Sequence, residues 1–386
     1  MIEMKILILT PYYYPYTSGM TVYAKRLAEG LAINRHQVTV LTYKHEKDIK
    51  EREIINGVRI VRVPFILKFQ RGVFSFSFLF KFIKLAKNND IVNIHIPFFE
   101  AGLIVIISKI LSKKVILTYH CDLKLRNGLL SYFANKIYFL SILIAATLSN
   151  KIVANSCDYV KGSMIKNFMH KTFCIYPPIE EKKFFYTKNT KKFKERFKIS
   201  SRDFVIGFLG RLTWEKGLEY LILAMRRIVK NKKNVKLLIG GESEKIAGGK
   251  KESVKEKLLK MINKFNLNNK VIFTGFIEER ELIKFYSSCD IIVVPSYDRL
   301  ESFNLVQIEA MLCKTPVIVT DMPGVRTPVL LTKGGILIKP KDEKGLVKAI
   351  LKILKNKKRY IVARKDVTKY FRLSKTIKEY ERLFFS

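Results

Sequence analysis

The sequence predicts an α/β protein made of two doubly wound domains with parallel sheets. Its 386 residues exceed one typical domain and suit two domains of roughly 150–200 residues each. Short buried strand patterns alternate with amphipathic helical patterns along both halves of the chain. A hydrophobic content of 48% and an aromatic content of 12% allow sizeable cores and argue against disorder.

The first half opens with a strand pattern over residues 4–10 and a helical pattern that begins at Thr21. Gly19 lies between them, where a backbone without a Cβ atom can approach an anion closely. The loop lacks the G-x-G-x-x-G pattern of dinucleotide-binding proteins, so NAD is not predicted as a ligand. Further strand patterns follow at 38–42, 57–63, 91–95, 115–119, 152–155 and 173–176.

Two strands of this half end in histidines. His95 ends the strand 91–95, and His120 and Asp122 directly follow the strand 115–119. Polar residues at the carboxyl ends of parallel strands face the ligand crevice of open α/β sheets. We therefore expect His120 to hydrogen-bond a ligand hydroxyl and Asp122 to orient it or contact an acceptor, with His95 as a second acceptor-side candidate. The alternative is a histidine that is satisfied within its own loop.

The Pro177-Pro178 pair predicts a stiff linker, which divides the chain into domains at 1–176 and 177–365. The second domain begins with a strand over 204–210, followed by Arg211 and Lys216. A guanidinium and an ammonium group five residues apart after a strand are suited to binding a diphosphate. The alternative is a pair of ordinary surface bases.

Glu301 and Glu309 bracket an apolar run between the strand patterns 290–295 and 316–320. Helical spacing places Glu309 beside a buried stripe, while Glu301 precedes the helix on a loop. A helix N-terminus offers free N–H groups to a phosphorylated ligand, and the two acids can accept hydrogen bonds from sugar or ribose hydroxyls. The alternative is an amphipathic helix whose acids only favour its dipole.

This stretch resembles the E-x7-E signature of the retaining nucleotide-sugar glycosyltransferases of family 4. The resemblance covers essentially the whole chain, with Gly19, His120, the Arg211/Lys216 pair and the Glu301/Glu309 pair in the order of the family. It implies the GT-B fold, in which two Rossmann-like domains face each other across a cleft. It also implies that the C-terminal helix, within 366–386, packs back on the first domain.

The resemblance also implies roles for individual residues. His120 and Glu301 are expected to be catalytic, and the donor phosphates are expected at Gly19, Arg211 and Lys216. The remaining expected contacts are with the nucleotide at Glu309, Leu305, Phe276 and Ile277, and with the donor sugar at Ser302, Phe303 and Asn304. Three positions depart from the usual glycine of the family, namely Ser302, Asn304 and Lys314, and Ser18 replaces the first glycine of the pair before the first helix.

The chain carries 72 Lys and Arg against 33 Asp and Glu, a net charge of +39. A positive field of this size favours phosphates, such as those of nucleotide sugars or an anionic membrane surface, unless it reflects compositional bias. Aromatic and basic residues are interleaved over 65–87 and again over 123–150, where Lys124, Arg126 and Lys136 stand among aromatics. These patterns predict helices on an anionic membrane surface, or core helices whose lysines reach to water.

The apolar run 137–148 is shorter than the ~18–20 residues that span a bilayer, so we expect peripheral association. Five scattered cysteines without C-x-x-C pairs predict neither a disulfide framework nor a zinc site, and no signal peptide is recognised. A reducing cytoplasm is the resulting expectation.

The combined expectation is a retaining hexosyltransferase at the cytoplasmic membrane face. It would move a mannose- or glucose-type unit from a UDP- or GDP-linked sugar to a hydroxyl of a lipid-linked or polysaccharide acceptor. No cofactor, metal or nucleic acid is expected, because Arg211 and Lys216 can offset the charge of the leaving diphosphate and no D-x-D-type site is present. Two alternatives are another GT-B enzyme, such as a phosphorylase or a nucleotide-sugar epimerase, and a non-enzymatic protein that binds membranes or polyanions.

Overall fold

A computed structural model describes residues 3–46, 48–69, 72–123, 125, 128–242 and 253–386. The chain divides into two units, of which the first comprises Met1–Ile179 with Phe371–Ser386 and the second Glu180–Tyr370. The division falls slightly after the sequence-based boundary at residue 176. The segment returning to the first unit begins slightly after residue 366.

The strands are β1 Lys5–Leu9, β2 Gln37–Lys44, β3 Arg52–Ile55, β4 Val58–Pro64, β5 Leu67–Phe69, β6 Gly72–Phe74, β7 Ile91–Ile96, β8 Lys114–Tyr119, β9 Lys151–Ala154, β10 Thr172–Cys174, β11 Phe204–Leu209, β12 Val235–Gly240, β13 Val271–Gly275, β14 Ile291–Val294, β15 Val317–Thr320 and β16 Gly335–Ile338. The α-helices are α1 Gly19–Ile33, α2 Phe76–Lys87, α3 Ala101–Ile110, α4 Leu129–Leu148, α5 Cys157–Val160, α6 Lys191–Arg196, α7 Leu218–Asn231, α8 Val254–Lys264, α9 Leu282–Ser288, α10 Leu305–Leu312, α11 Thr327–Thr332, α12 Glu343–Lys355, α13 Arg364–Thr368 and α14 Leu373–Phe385.

The first unit is built on an eight-stranded sheet in the order β10-β9-β8-β7-β1-β2-β4-β3. Its strands pair in parallel except β3, which runs antiparallel to β4 at the edge. Helices α1 and α14 cover one face, where Tyr23 and Leu27 pack with Ile377 and Tyr380 against alternate residues of the strands. All six residues of β7 are buried, as expected for a central strand covered on both faces.

The second unit is built on a six-stranded parallel sheet in the order β13-β12-β11-β14-β15-β16. Helices α7 and α12 bury Leu221, Met225, Leu346 and Ile350 against one face of this sheet. The strand order reverses beside β11 and β14, which are neighbours although they are far apart in the chain. Ligands bind at such reversals in open α/β sheets, outside the carboxyl ends of the strands. Both units are thus α/β and doubly wound, in agreement with the predicted fold class.

The stretch 65–87 differs from the single membrane helix that its composition suggested. Its first part forms β5 and β6, an antiparallel pair in which the Ile66 amide also donates to the Phe74 carbonyl oxygen at 3.0 Å. Helix α2 begins only at Phe76. Only residues 76–87 of the stretch therefore form the helix that its composition suggested.

Helix α4 is longer than the apolar run 137–148 indicated. It has 20 residues and is apolar enough to cross a membrane, as core helices of soluble proteins also are. Its Ser141 accepts a hydrogen bond from the Gly102 amide of α3 at 2.9 Å, so α4 packs on that helix. Lys124 and Arg126, which the sequence analysis grouped with this stretch, lie outside the described residues.

A disulfide joins Cys157, at the start of α5, to Cys174 of β10, with their Cα atoms 5.5 Å apart. The sequence predicts no disulfide, because no spacing motif marks this pair. The pairing of β10 with β9 sets Cys174 opposite Ala154, close to where α5 begins. The disulfide removes the cysteine argument for a reducing compartment.

Candidate functional site

The predicted site residues fall into two groups, one in each unit. Gly19, His95, His120 and Asp122 belong to the first unit. The second unit holds the remaining residues, namely Arg211, Lys216, Phe276, Ile277, Glu301, Ser302, Phe303, Asn304, Leu305 and Glu309.

In the second unit, a tight backbone contact brings the segment after β11 against the end of β14. Gly217 has a φ of 67°, and a Cβ atom at this position would overlap the carbonyl oxygen of Pro295. The Tyr297 amide also donates to the Glu215 carbonyl oxygen at 3.1 Å. Only glycine fits this combination of left-handed backbone and close approach without strain. The contact places Lys216 beside the loop that carries Glu301.

Lys216 and Glu301 form a short ion pair in the second unit. Their side chains are only 17% and 10% exposed, so water screens this pair far less than a surface pair. Ser296, two residues after β14, donates a hydrogen bond to the same Glu301 oxygen at 3.3 Å. The structure therefore brings together a predicted phosphate-binding cation and a predicted catalytic acid.

Helix α10 positions the second acid. Asn304 is the N-cap of α10, and its side-chain oxygen accepts a hydrogen bond from the Gln307 amide at 3.3 Å. Glu309 lies in the second turn, is buried, and accepts a hydrogen bond from the Tyr286 hydroxyl at 2.8 Å. The predicted sugar contact Asn304 therefore has a structural role as a cap, which the glycine usual in the family fills less well.

The other predicted donor contacts differ in exposure. Ser302 and Phe303 are buried in the loop before α10, and Ile277 is buried after β13. Phe276 is 55% exposed, which leaves a large aromatic surface accessible at the predicted nucleobase position. Arg211 follows β11 and is partly exposed. Leu305 is the first residue of α10.

In the first unit, His120 contacts His95, not Asp122. The His95 Nδ1 and His120 Nε2 atoms are 3.0 Å apart, and His95 Nε2 lies 3.0 Å from the Asn93 Oδ1 atom. Burial lowers the pKa of His120 to about 3. Burial first, and the neighbouring His120 second, hold the pKa of His95 well below its usual range. Both imidazoles are therefore neutral near pH 7.

The two acceptor-side candidates differ in their surroundings. His95 is completely buried behind His120, so it supports that residue and does not reach an acceptor in this conformation. Asp122 accepts hydrogen bonds from the Tyr119 hydroxyl and the Met164 amide, which anchors the loop after β8. Gly19 is the exposed first residue of α1, and a Cβ atom there would meet no atom within 4 Å.

The partners that surround this histidine pair were not predicted from the sequence. Asn93 also donates to the Ile116 carbonyl oxygen at 3.0 Å and to Thr118 Oγ1 at 2.9 Å. Tyr380 of α14 connects Thr118, at 2.9 Å, with Tyr23, at 2.8 Å, through hydroxyl groups. An asparagine inside the buried pattern IVNIHI of β7 was the available signal, because buried polar groups require partners.

Among the described residues, no group of three or more His, Cys, Asp or Glu side chains is arranged to hold a metal ion. The arrangement can supply a cation beside a carboxylate and a second buried carboxylate in one unit. In the other unit it supplies a neutral histidine with a fixed hydrogen-bond partner. The groups of the second unit suit a phosphorylated ligand that carries hydroxyls, and the histidine of the first unit suits a hydroxyl partner.

The fold is shared with solved glycosyltransferase structures. The Anabaena protein HepE, solved in complex with UDP and glucose, matches with a TM-score of 0.79 over 100% of both chains, at 19% identity. The architecture is thus that of the GT-B glycosyltransferases.

Two family models match successive parts of the chain. The model described as Glycosyltransferase Family 4 matches residues 17–182, and the one described as Glycosyl transferases group 1 matches residues 189–371. The chain belongs to family 4 of the glycosyltransferases.

Relatives along the chain agree with this assignment. The uncharacterized glycosyltransferase MJ1607 of Methanocaldococcus jannaschii is 28% identical over 396 residues, covering 97% of this chain and 96% of the relative. The alpha-monoglucosyldiacylglycerol synthase of Streptococcus pneumoniae is 25% identical over 337 residues, covering 83% of this chain and 72% of the relative.

Proposed function

We propose that this glycosyltransferase is a retaining hexosyltransferase. It moves a mannose- or glucose-type unit from a UDP- or GDP-linked sugar to a hydroxyl of a lipid-linked or polysaccharide acceptor at the cytoplasmic membrane face. The observation that carries the proposal is the Lys216–Glu301 pair, with Glu309 on the adjoining helix. Retention of the anomeric configuration is the family expectation and is tested by the configuration of the product.

The ion pair supports binding of an anionic donor. A carboxylate at Glu301 would repel a diphosphate if it stood alone, and Lys216 offsets that charge in a poorly hydrated position. When a sugar nucleotide binds, the ammonium group can direct one of its three N–H groups toward a phosphate oxygen. It can keep its ion pair with Glu301 at the same time. Glu301 then remains close to the sugar that the diphosphate carries.

The leaving nucleoside diphosphate needs positive charge as the glycosidic bond breaks. We propose that Arg211 and Lys216 provide it, without a metal and without a cofactor beyond the sugar nucleotide itself. We propose that Glu309 accepts hydrogen bonds from the ribose hydroxyls, since it is a buried carboxylate in the second turn of α10. The name of the S. pneumoniae relative, a glucosyldiacylglycerol synthase, favours a lipid acceptor and a glucose-type sugar.

An exposed apolar face of α4 supports a site of action at a membrane. We define this α4 face by Leu129, Leu130, Phe133, Ile137 and Leu140, which are 53% to 73% exposed and recur at helical spacing. Lys136 lies in the same stripe, with its Nζ atom 4.5 Å from the centre of the Tyr132 ring. Exposed apolar side chains with interleaved lysine suit an anionic bilayer surface, and a net charge of +39 strengthens that attraction.

The donor site is tested by calorimetric binding of UDP, GDP and ADP and of their sugar conjugates. Lys216→Met should weaken binding by about 1.5–3 kcal/mol, the usual range for a hydrogen bond to a charged group. Glu301→Gln should abolish sugar transfer while nucleoside diphosphate binding is retained, because Lys216 keeps its charge. Lys230→Ala, at an exposed position on α7 of the same unit, is the control. Equal affinity of the wild type and Lys216→Met would refute the assignment.

The membrane part of the proposal is tested separately by flotation with vesicles of anionic or zwitterionic lipid. The double variant Ile137→Glu with Leu140→Glu should lose binding to anionic vesicles. Ile33→Glu changes an equally exposed residue at the end of α1 and should leave binding intact. If the double variant still floats like the wild type, the α4 face is not the contact surface.

Product analysis, together with these binding measurements, distinguishes the two alternatives. Phosphorolysis or epimerisation of a bound sugar nucleotide, without transfer to any acceptor, would support another GT-B enzyme. Vesicle binding with no nucleotide binding at all would support the non-enzymatic binder.

A further inference from the structure

The histidine pair of the first unit is oriented by a chain of hydrogen bonds that begins at Asn93. The Asn93 side chain approaches the Ile116 carbonyl oxygen at 3.0 Å. A carbonyl oxygen only accepts hydrogen bonds, so the amide nitrogen must point there and the amide oxygen must face His95. The orientation of the Asn93 amide therefore follows from the Ile116 carbonyl oxygen, which can only accept a hydrogen bond.

The protonation of both rings then follows step by step. Because Asn93 Oδ1 only accepts, the His95 Nε2 atom that faces it carries the proton. A neutral His95 has one ring proton, so its Nδ1 atom is an acceptor. The His120 Nε2 atom, 3.0 Å from it, must then carry the proton of that ring. The nitrogen left on His120 is Nδ1, with an unprotonated lone pair.

Neighbouring side chains hold the two rings in place. The Tyr23 ring meets His120 edge to face, with centroids 4.8 Å apart, and meets His95 similarly at 5.8 Å. Among the residues that the structure describes, no hydrogen bond is formed to His120 Nδ1. This side chain is nearly buried, at 6% exposure, whereas His95 is completely buried. Of the two rings, only His120 can meet a ligand.

We propose that Asn93 and His95 are positioning residues that hold His120 with its proton on Nε2, so that Nδ1 accepts a hydrogen bond from a sugar hydroxyl. The hydroxyl partner rests on the proposed transferase function, while the tautomer does not. In this role His120 does not donate a proton to the departing group. Instead, the Nδ1 atom of His120 accepts a hydrogen bond from a fixed direction and thereby orients the sugar hydroxyl.

The tautomer is tested by long-range proton–nitrogen NMR spectra of protein labelled with nitrogen-15 histidine. The chain has five histidines, and His120→Asn identifies the signals of His120. We expect a protonated Nε2 and an unprotonated Nδ1 for His120 in the wild type. The reverse assignment in the wild-type spectrum would overturn the proposal without any further variant.

Two substitutions of His95 separate hydrogen bonding from packing. His95→Asn keeps an oxygen acceptor at about the position of Nδ1, whereas His95→Phe keeps a ring of similar size and removes both nitrogens. We expect His95→Phe to mix the His120 tautomers and to lower kcat by about tenfold with little change in KM, whereas His95→Asn stays within about threefold of the wild type. His170→Phe, at an exposed position, should change neither.

The outcomes separate this inference from the proposed function. An unchanged tautomer and unchanged kcat in His95→Phe would overturn the positioning role. A wild-type protein that shows the expected tautomer but binds no sugar nucleotide would refute the proposed function and, with it, the sugar hydroxyl as the partner of Nδ1.

Discussion

The acid Glu100 provides a stability prediction that depends on a single carboxyl group. Glu100 lies just before α3, and its Oε1 atom accepts a hydrogen bond from the Tyr43 hydroxyl. Its Oε2 atom is buried and has no hydrogen-bond partner among the described residues. Burial raises the pKa of Glu100 from 4.5 to about 7, although the Tyr43 hydrogen bond opposes the change. Near neutral pH the folded protein therefore holds a proton that the unfolded chain has released.

The sign of the effect follows from that difference in bound protons. Between the two pKa values the folded state binds more protons than the unfolded state, so the free energy of unfolding falls as pH rises. Each pKa unit corresponds to about 1.4 kcal/mol, which sets a ceiling of about 3 kcal/mol for Glu100. Most of this loss, about 2.5 kcal/mol, falls between about pH 5 and about pH 8.

Glu100→Gln keeps the shape of the side chain and cannot ionise. Urea unfolding of the wild type and the variant, followed near pH 5 and near pH 8, should show that the wild type loses about 2 to 3 kcal/mol more than the variant. Glu51→Gln changes an acid whose side chain is 64% exposed and should behave like the wild type. Parallel curves for the wild type and Glu100→Gln would show that burial does not raise this pKa.

Further predictions concern the backbone contact, the helix cap and the buried histidine. Gly217→Ala should lower the free energy of unfolding by about 1–3 kcal/mol and weaken nucleotide binding, because the Cβ atom would displace the segment from Pro295; unchanged binding would mean that this contact does not position Lys216. Asn304→Ala should cost about 1 kcal/mol in chemical unfolding and Asn304→Gly only a few tenths, as for a helix N-cap. Because the pKa of His120 is lowered to about 3, its burial should destabilise the wild type by up to about 1.4 kcal/mol per pH unit below about pH 6.5. His120→Asn should show a smaller acid loss in thermal or urea unfolding.

Much of the fold could be predicted because it depends on local periodicity. Continuous apolar runs such as IVNIHI mark buried strands, and the amphipathic period of α7 and α12 marks the helices that cover them. The run before α2 was assigned to the same helix, because its aromatic and basic residues continue the composition of α2 and no periodicity marks the pairing of β5 with β6.

The contacts of the site could not be predicted, because they depend on register and on backbone approach. His95 lies beside the strand of His120 only because β7 pairs with β8 so that His95 stands opposite Thr118. Lys216 reaches Glu301 through the approach of Gly217 to Pro295, across nearly eighty residues of chain. The disulfide has the same origin, since the pairing of β9 with β10 brings Cys174 close to α5. Residue type alone predicted the site positions His120, Lys216 and Glu301. Which side chain each of them contacts depends on strand register and on the close backbone contact, and neither can be read from the sequence.

Helix α14 has a consequence for how the chain assembles on the ribosome. Tyr380 completes the hydroxyl chain beside the histidines, and Glu381 accepts a hydrogen bond from Asn34 at 2.8 Å. Residues 371–386, which belong to the first unit, are translated after the entire second unit. The second unit can therefore finish folding as one continuous segment while the first unit still exposes the apolar surface on which α14 packs. Although its sheet is made first, the histidine half of the enzyme is completed last.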